Sequence, residues 1–377
     1  MKFLQNIDRP LFYSIIGLSI FGLIMIGSVS IYESYLLTSK LVGTGLIDEI
    51  SNSFYLKRAF FNLLIALPVF LIGIAVPYKF WRKMAMPIFF GSLILLIILF
   101  IPGLTNDYGS ARSWLNIPGL PSIQPSEIMK LGLILYFTLW IESKTNKIAT
   151  LKEGFFPFAF LIGMIILLIG LQPDFGAVLV ISFIAGAMFF VGGGNLWHIF
   201  WAGIIGILAA MPIIMTHEYI YKRFLAFWDP QFDIGGSGYQ ILQALMTIGS
   251  GGFWGVGFGQ SVQKFGYLPE VQGDTIFAII SEELGFVRVV IFVFVFLFIG
   301  WRGLMIANKA KDKFGMLLAV GITSWIVFQA FINISVNLAI MPLTGITLPF
   351  VSNGGSSLIM MSLAAGILLA VSREVKR

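Results

Sequence analysis

The chain has 377 residues, 58% of them hydrophobic and only 11% charged, with a mean hydropathy of +0.93. A soluble domain carries roughly 25% charged residues, so this composition excludes a mostly water-facing surface and makes lipid the main solvent. There is no cysteine, which excludes disulfides and thiolate metal sites, and the net charge is +6.

Crossing the hydrocarbon core takes about 20 apolar residues in a helix. Ten segments are candidates, roughly 11–32, 57–77, 83–102, 127–142, 157–171, 174–192, 195–215, 275–300, 314–341 and 349–371. The first, from Leu11 to Ile31, is too long for a signal-peptide core and has no clean cleavage site after it. The fifth and sixth are divided only at Gln172-Pro173-Asp174, where a proline after a polar residue breaks the helix. The expected fold class is an all-α polytopic membrane protein of ten transmembrane helices, one domain over residues 1–377. Its large extracytoplasmic loop runs over about 216–274, between helices seven and eight.

The distribution of cations sets the expected topology. With the N-terminus placed in the cytoplasm, the cytoplasmic segments hold 15 of the 24 Lys and Arg residues and the outer segments hold seven. Lys130 and Arg288 fall within helices. Both termini are then cytoplasmic, and the net charge needs no nucleic-acid partner. The long loop carries aromatics such as Tyr219, Phe227, Trp228 and Trp254, so simple disorder is not expected. Its glycines, Gly249 to Gly259, suit either a packed loop on the membrane or amides that approach a pyrophosphate.

Ionisable residues in or at the mouth of a membrane bundle are functional candidates by default. Glu127 and Lys130 are three residues apart, share a helix face and can pair. Asp174 opens the sixth helix, where capping is the plainer role. Arg112, beside Trp114, could hold a lipid phosphate or a substrate diphosphate. Asp274 lies where the long loop enters the eighth helix, as either an N-cap or a general base. Helical spacing puts Ser281 and Glu282 on its face, with Glu283 opposite. Lys264, Arg223 and Arg112 are cations that could stabilise a departing phosphate. The two histidines, His198 and His217, fall at opposite membrane faces, which argues against a histidine triad or a multi-histidine metal site.

These residues sit inside a series of motifs. They are Ala-Arg-Ser-Trp-Leu at 111–115, Gln-Pro-Ser-Glu-Ile-Met-Lys at 124–130, Gln-Pro-Asp-Phe-Gly at 172–176 and Arg223 with Asp229-Pro230. Gly238-Tyr239-Gln240, Ile248-Gly249-Ser250-Gly251-Gly252, Tyr267-Leu268-Pro269-Glu270, Glu282-Glu283-Leu284-Gly285 and the Leu348–Ser357 segment follow in order. In this series the chain resembles the SEDS family (shape, elongation, division and sporulation) over nearly its whole length. The stretch Gly259-Gln260-Ser261-Val262-Gln263-Lys264 looks more like the FtsW and sporulation branch than like RodA.

The resemblance implies a peptidoglycan glycosyltransferase of the bacterial cytoplasmic membrane, with a SEDS-type fold of ten helices. Such proteins polymerise lipid II, a polyprenyl-diphosphate-linked disaccharide, onto a polyprenyl-linked glycan strand, with a class B penicillin-binding protein (a transpeptidase) as partner and membrane lipid around them. The family's essential Asp maps to Asp274, although the usual Thr-Asp-Phe context is Gly273-Asp274-Thr275 here. Arg112, Lys130, Arg223, Lys264 and Glu270 are then expected to meet substrate, with Glu127 orienting Lys130. A divalent cation, Mg or Mn, could assist the leaving diphosphate, but no closed protein metal site is legible. A lipid II flippase and a non-catalytic scaffold of a cell-wall synthesis complex are the competing readings.

Overall fold

The computed structural model describes residues 6–101, 103, 113–115, 122–144 and 147–375. Its elements are helices, and one isolated antiparallel bridge joins Leu115 to Ile123. In chain order they are α1 (Arg9–Val29), α2 (Ile31–Gly43), α3 (Phe54–Ala75), α4 (Tyr78–Ile98), α5 (Pro125–Ser143), α6 (Phe156–Gly170), α7 (Phe175–Val191) and α8 (Leu196–Thr216). After these come α9 (Glu218–Trp228), α10 (Ser237–Ser250), α11 (Ile276–Asn308), α12 (Lys313–Asn337) and α13 (Gly355–Arg373).

Each predicted apolar segment coincides with one helix. Among the described residues, eight helices are long and apolar enough to cross a membrane, so this is a multi-pass membrane protein. The other two of the ten segments are α7, which has 17 residues, and α5, which carries Glu127, Lys130 and Glu142. Asp174 caps α7, accepting from the Ala177 N–H at 3.0 Å, so the division after Gln172 holds and capping is its local role.

α12 is the central helix: 72% of its apolar window is buried, and α5, α7, α11 and α13 all pack on it. α3 and α13 cross at Gly73 and Gly366, where a Cβ on Gly366 would lie 2.4 Å from the Phe70 carbonyl oxygen. Small residues permit that close approach of two backbones in a membrane bundle.

Two features depart from the sequence expectations. The segment after α8 is not one loop but contains α9, a 3-10 turn at Pro230–Asp233 and α10 before its irregular stretch. α9 is amphipathic, and α10 lies against α11, so these short helices bury one face each. In addition, α11 is broken at Gly285, whose φ is 77° and ψ 169°. Segment 252–257 fills the break. Val256 and Gly257 N–H groups donate to the Glu282 and Glu283 carbonyls at 2.9 and 3.1 Å, and the Phe286 and Val287 N–H groups donate to the Gly252 and Phe253 carbonyls at 2.9 and 3.2 Å. Backbone groups freed inside a membrane helix must be satisfied by protein, and this loop does so. A Cβ at Gly285 would stand 2.1 Å from the Gly255 nitrogen, so the splice requires glycine there.

Candidate functional site

The site forms where the turn before α11 meets α9, α10 and α12. Tyr267-Leu268-Pro269-Glu270 leads into a tight turn in which Glu270 has a φ of 53°. The Gly273 N–H donates to the Glu270 carbonyl at 2.9 Å, and Thr275 Oγ1 donates to the Pro269 carbonyl at 2.6 Å. Thr275, not Asp274, occupies the cap position of α11, so the Asp274 carboxyl is not spent on the helix end. Of the two residues that depart from the family pattern, Thr275 ties the turn through its own side chain.

Asp274 is held from behind by α12. Asn333 Nδ2 and Asn337 Nδ2 each donate to the Asp274 carbonyl oxygen at 2.8 Å. The same two nitrogens also donate to the Ile346 and Asn333 carbonyls at 2.7 and 2.9 Å. Both asparagines are almost fully buried. The backbone at residue 274 is thus tied to the most buried helix of the bundle, while the side chain, half-buried, is left to face Gln240, Arg223 and Glu270.

Gln240 Nε2, from α10, reaches Asp274 Oδ1 at 3.5 Å. Arg223, from α9, stacks over the Tyr219 ring with its Cζ 4.4 Å from the centroid and donates to the Leu343 carbonyl at 3.4 Å. Its buried Nε has no hydrogen-bond partner among the described residues. Burial, and then the charge of Glu270, raise the Asp274 carboxyl from its ordinary 3.8 to about 7; Arg223 and the Gln240 hydrogen bond pull the other way. A carboxylate at that value is half ionised near neutral pH and can take a proton.

The other candidates stand elsewhere. Glu127 and Lys130 do pair, at 2.7 Å, inside the bundle. Lys130 also donates to Gln329 Oε1 at 3.0 Å and lies 5.1 Å from the Trp325 ring centroid. Its ammonium is only 2% exposed and belongs to a network that links α5 to α12. Lys264 is buried too. It pairs with Glu283 at 3.0 Å and donates to Ser28 Oγ at 3.0 Å and to the Gly259 carbonyl at 2.8 Å, joining the loop to α1 and α11. The structure therefore brings Arg223 and Glu270 to Asp274 and places Lys130 and Lys264 in internal ion pairs. Ser281 bonds its own helix, and Glu282 accepts from Ser250 and Ser261. Arg112 lies outside the described residues. Among the described residues no three His, Asp or Glu side chains converge as a metal site.

Sequence reasoning passed over Asn333 and Asn337 as site residues. Two carboxamides four residues apart in an apolar span share a helix face, a signal that the pattern did contain.

The family model described as cell cycle protein, covering FtsW, RodA and SpoVE, matches residues 9–377. A probable peptidoglycan glycosyltransferase FtsW of Geobacter sp. (strain M18) is 34% identical over 376 residues, spanning 100% of this chain and 99% of that protein. Stage V sporulation protein E of Bacillus subtilis (strain 168) is 42% identical over 296 residues, 78% of this chain and 80% of its own. Among solved structures, a chain from a peptidoglycan synthase complex described for structural coordination of polymerization and crosslinking superposes with a TM-score of 0.78 at 25% identity, covering 98% of this chain and 99% of that one. The rod shape determining protein RodA of Thermus thermophilus superposes with a TM-score of 0.70 at 24% identity, over 99% of both chains, and supports the fold. By a match that runs over nearly its whole length, this chain belongs to the FtsW/RodA/SpoVE family, the SEDS proteins.

Proposed function

We propose that this protein is a peptidoglycan glycosyltransferase that polymerises lipid II at the outer face of the cytoplasmic membrane, with Asp274 as general base. The observation that carries the reading is Asp274 itself. It is a half-buried carboxyl raised to about 7, anchored through its backbone by Asn333 and Asn337 and flanked by the Arg223 guanidinium. The names of the relatives support the reaction class. In the proposed topology, with ten spans and both termini cytoplasmic, α9, α10 and the Asp274 turn lie on the outer side, and the bias of Lys and Arg supports it.

In the proposed reaction an acceptor sugar hydroxyl gives its proton to the Asp274 carboxylate. The oxygen forms a bond to the anomeric carbon of the polyprenyl-linked strand. The bond from that carbon to the diphosphate breaks on the opposite side, and polyprenyl diphosphate leaves with the electron pair. Arg223 would stabilise the charge that grows on the diphosphate. Asp274 then returns its proton to water. A class B penicillin-binding protein is the proposed partner, and the likeness to a chain of a peptidoglycan synthase complex supports it.

The test is reconstitution of the purified protein in vesicles, with and without the transpeptidase, supplied with labelled lipid II. Glycan polymer that disappears with Asp274→Asn is the expected result. Polymer made equally well by the variant rejects Asp274 as base. Lipid II flipping without polymer under any condition rejects the enzyme in favour of a transporter.

A further inference from the structure

The end of the bundle away from Asp274 carries a cavity that the proposed reaction does not use. α11 begins beside Asp274 and runs for 33 residues, and the cavity lies at its far end, where the start of α1 meets the ends of α11 and α13. Its volume is about 360 Å³. Clefts that hold small ligands measure about 300–1,000 Å³. The walls are tied together at Asp8. Its Oδ1 accepts from the Leu11 N–H at 3.0 Å and from Arg302 Nε at 3.2 Å, and its Oδ2 accepts from Arg302 Nη2. The Asp8 N–H donates to Ser372 Oγ at 3.0 Å, which brings in α13. Three helix ends are thus fixed around one opening.

Among the described residues the charged side chains lining the cavity are Arg9, Arg302 and Lys309 against Asp8, a net charge of +2. Arg302 gives Nε and Nη2 to Asp8, and its Nη1 meets Met305 Sδ, a weak acceptor, at 3.9 Å. Arg9 and Lys309 are exposed and make no ion pair among the described residues. Arg9 opens α1, where the positive end of the helix dipole gives a cation no support. Cations around one cavity repel each other, and an anion between them removes that repulsion. The rim is not polar all round. Tyr13 on α1 and Trp301 and Leu304 on α11 stand exposed, close in sequence to the lining residues, and Arg302 Cζ lies 5.5 Å from the Trp301 ring centroid. Tyr and Trp beside cations mark the boundary between hydrocarbon and headgroups. A soluble phosphate compound gains nothing from an apolar rim. A lipid sets its phosphates among the cations and its acyl chains along Trp301 and Leu304, as headgroups do in basic pockets between membrane helices.

We propose that this cavity binds the headgroup of an anionic membrane lipid carrying two phosphate charges, in the leaflet at the other end of the bundle from Asp274. Arg9 and Lys309 supply the attraction, the Asp8–Arg302 pair holds the walls, and Trp301 lies along an acyl chain. The site is independent of sugar transfer, since no residue around Asp274 takes part in it.

The test titrates the full-length protein in detergent with diphosphatidylglycerol, which carries two phosphates, and counts retained lipid by native mass spectrometry. Phosphatidylcholine, which has no net charge, and inorganic phosphate are the comparison probes. Tight retention of diphosphatidylglycerol over phosphatidylcholine is the expected result. Arg9→Gln and Lys309→Gln are each expected to weaken it about fivefold, and the double variant about 25-fold, the effect of one and of two cations at a lipid headgroup. Lys152→Gln, which removes an exposed cation that does not line the cavity, should leave it unchanged. Equal retention of the two lipids, undiminished binding in the double variant, or the same loss in Lys152→Gln overturns the site. Inorganic phosphate that binds as tightly as the lipid and displaces it overturns the lipid as ligand in favour of a soluble anion. Arg9 and Lys309 are exposed, so their variants keep the fold, and an unchanged melting midpoint without lipid verifies it.

Discussion

The pH dependence of catalysis should be controlled by Glu270, whose charge acts on Asp274 four residues along the turn. The rise of the Asp274 carboxyl from 3.8 to about 7 is roughly three units, or about 4 kcal/mol in favour of the protonated form. Burial takes the largest part, the Glu270 charge is second, and Arg223 opposes both. Glu270→Gln removes one raising charge and leaves burial in place. A general base works when ionised, so activity falls as pH drops through its pKa. The acid limb of kcat/KM, measured as lipid II polymerisation in vesicles from about pH 5 to 9, should lie near 7 and move down by on the order of one unit in Glu270→Gln. Arg223→Gln should move it up. A limb that is the same in all three proteins belongs to the substrate and would refute the reasoning, as would a rise in Glu270→Gln. Stability gives a second readout. Between about pH 4 and 7 the folded carboxyl holds a proton that the unfolded chain has lost, so this group costs stability as pH rises through that window. Asp274→Asn should therefore raise the melting midpoint at pH 8 and leave it unchanged below pH 4, by less than the full 4 kcal/mol because solvent reaches the half-buried carboxyl.

Two further outcomes follow from the buried polar contacts. Lys264→Met leaves Glu283, which is fully buried, without its counter-charge and should cost about 3–5 kcal/mol. Lys264→Met with Glu283→Gln should recover most of that loss in thermal melting, and equal melting of the single and double variants would show the pair to be unimportant. Asn333→Leu and Asn337→Leu each remove one donor from the Asp274 carbonyl and should lower kcat about tenfold with little change in KM, the cost of a misplaced base. A rise in KM alone in the same polymerisation assay would argue that the asparagines act on substrate binding instead.

Local pattern carried much of this protein. Apolar runs of membrane length became helices because the rule that makes them, satisfaction of the backbone within the segment, is itself local. The Glu127–Lys130 pair was legible for the same reason, since three residues on a helix make neighbours. The break at Asp174 needed only Pro173 and a capping carboxylate. The position of Asp274 at a loop–helix junction was also local, but which residue takes the cap position of α11, Thr275, was not.

What the chain could not announce were contacts between residues far apart in sequence. Lys264 reads as a loop cation open to substrate, yet Glu283 and Ser28 draw it inside the bundle, because a buried carboxylate needs a counter-charge. The apolar run of α11 looks continuous, and only the hydrogen bonds of segment 252–257 reveal the break at Gly285. Gln240, Asn333 and Asn337 reach Asp274 across separations of 34, 59 and 63 residues. Apolar length alone determined which segments are helices of membrane span. Tertiary packing alone decided which polar groups neutralise one another inside the bundle and which gather around Asp274.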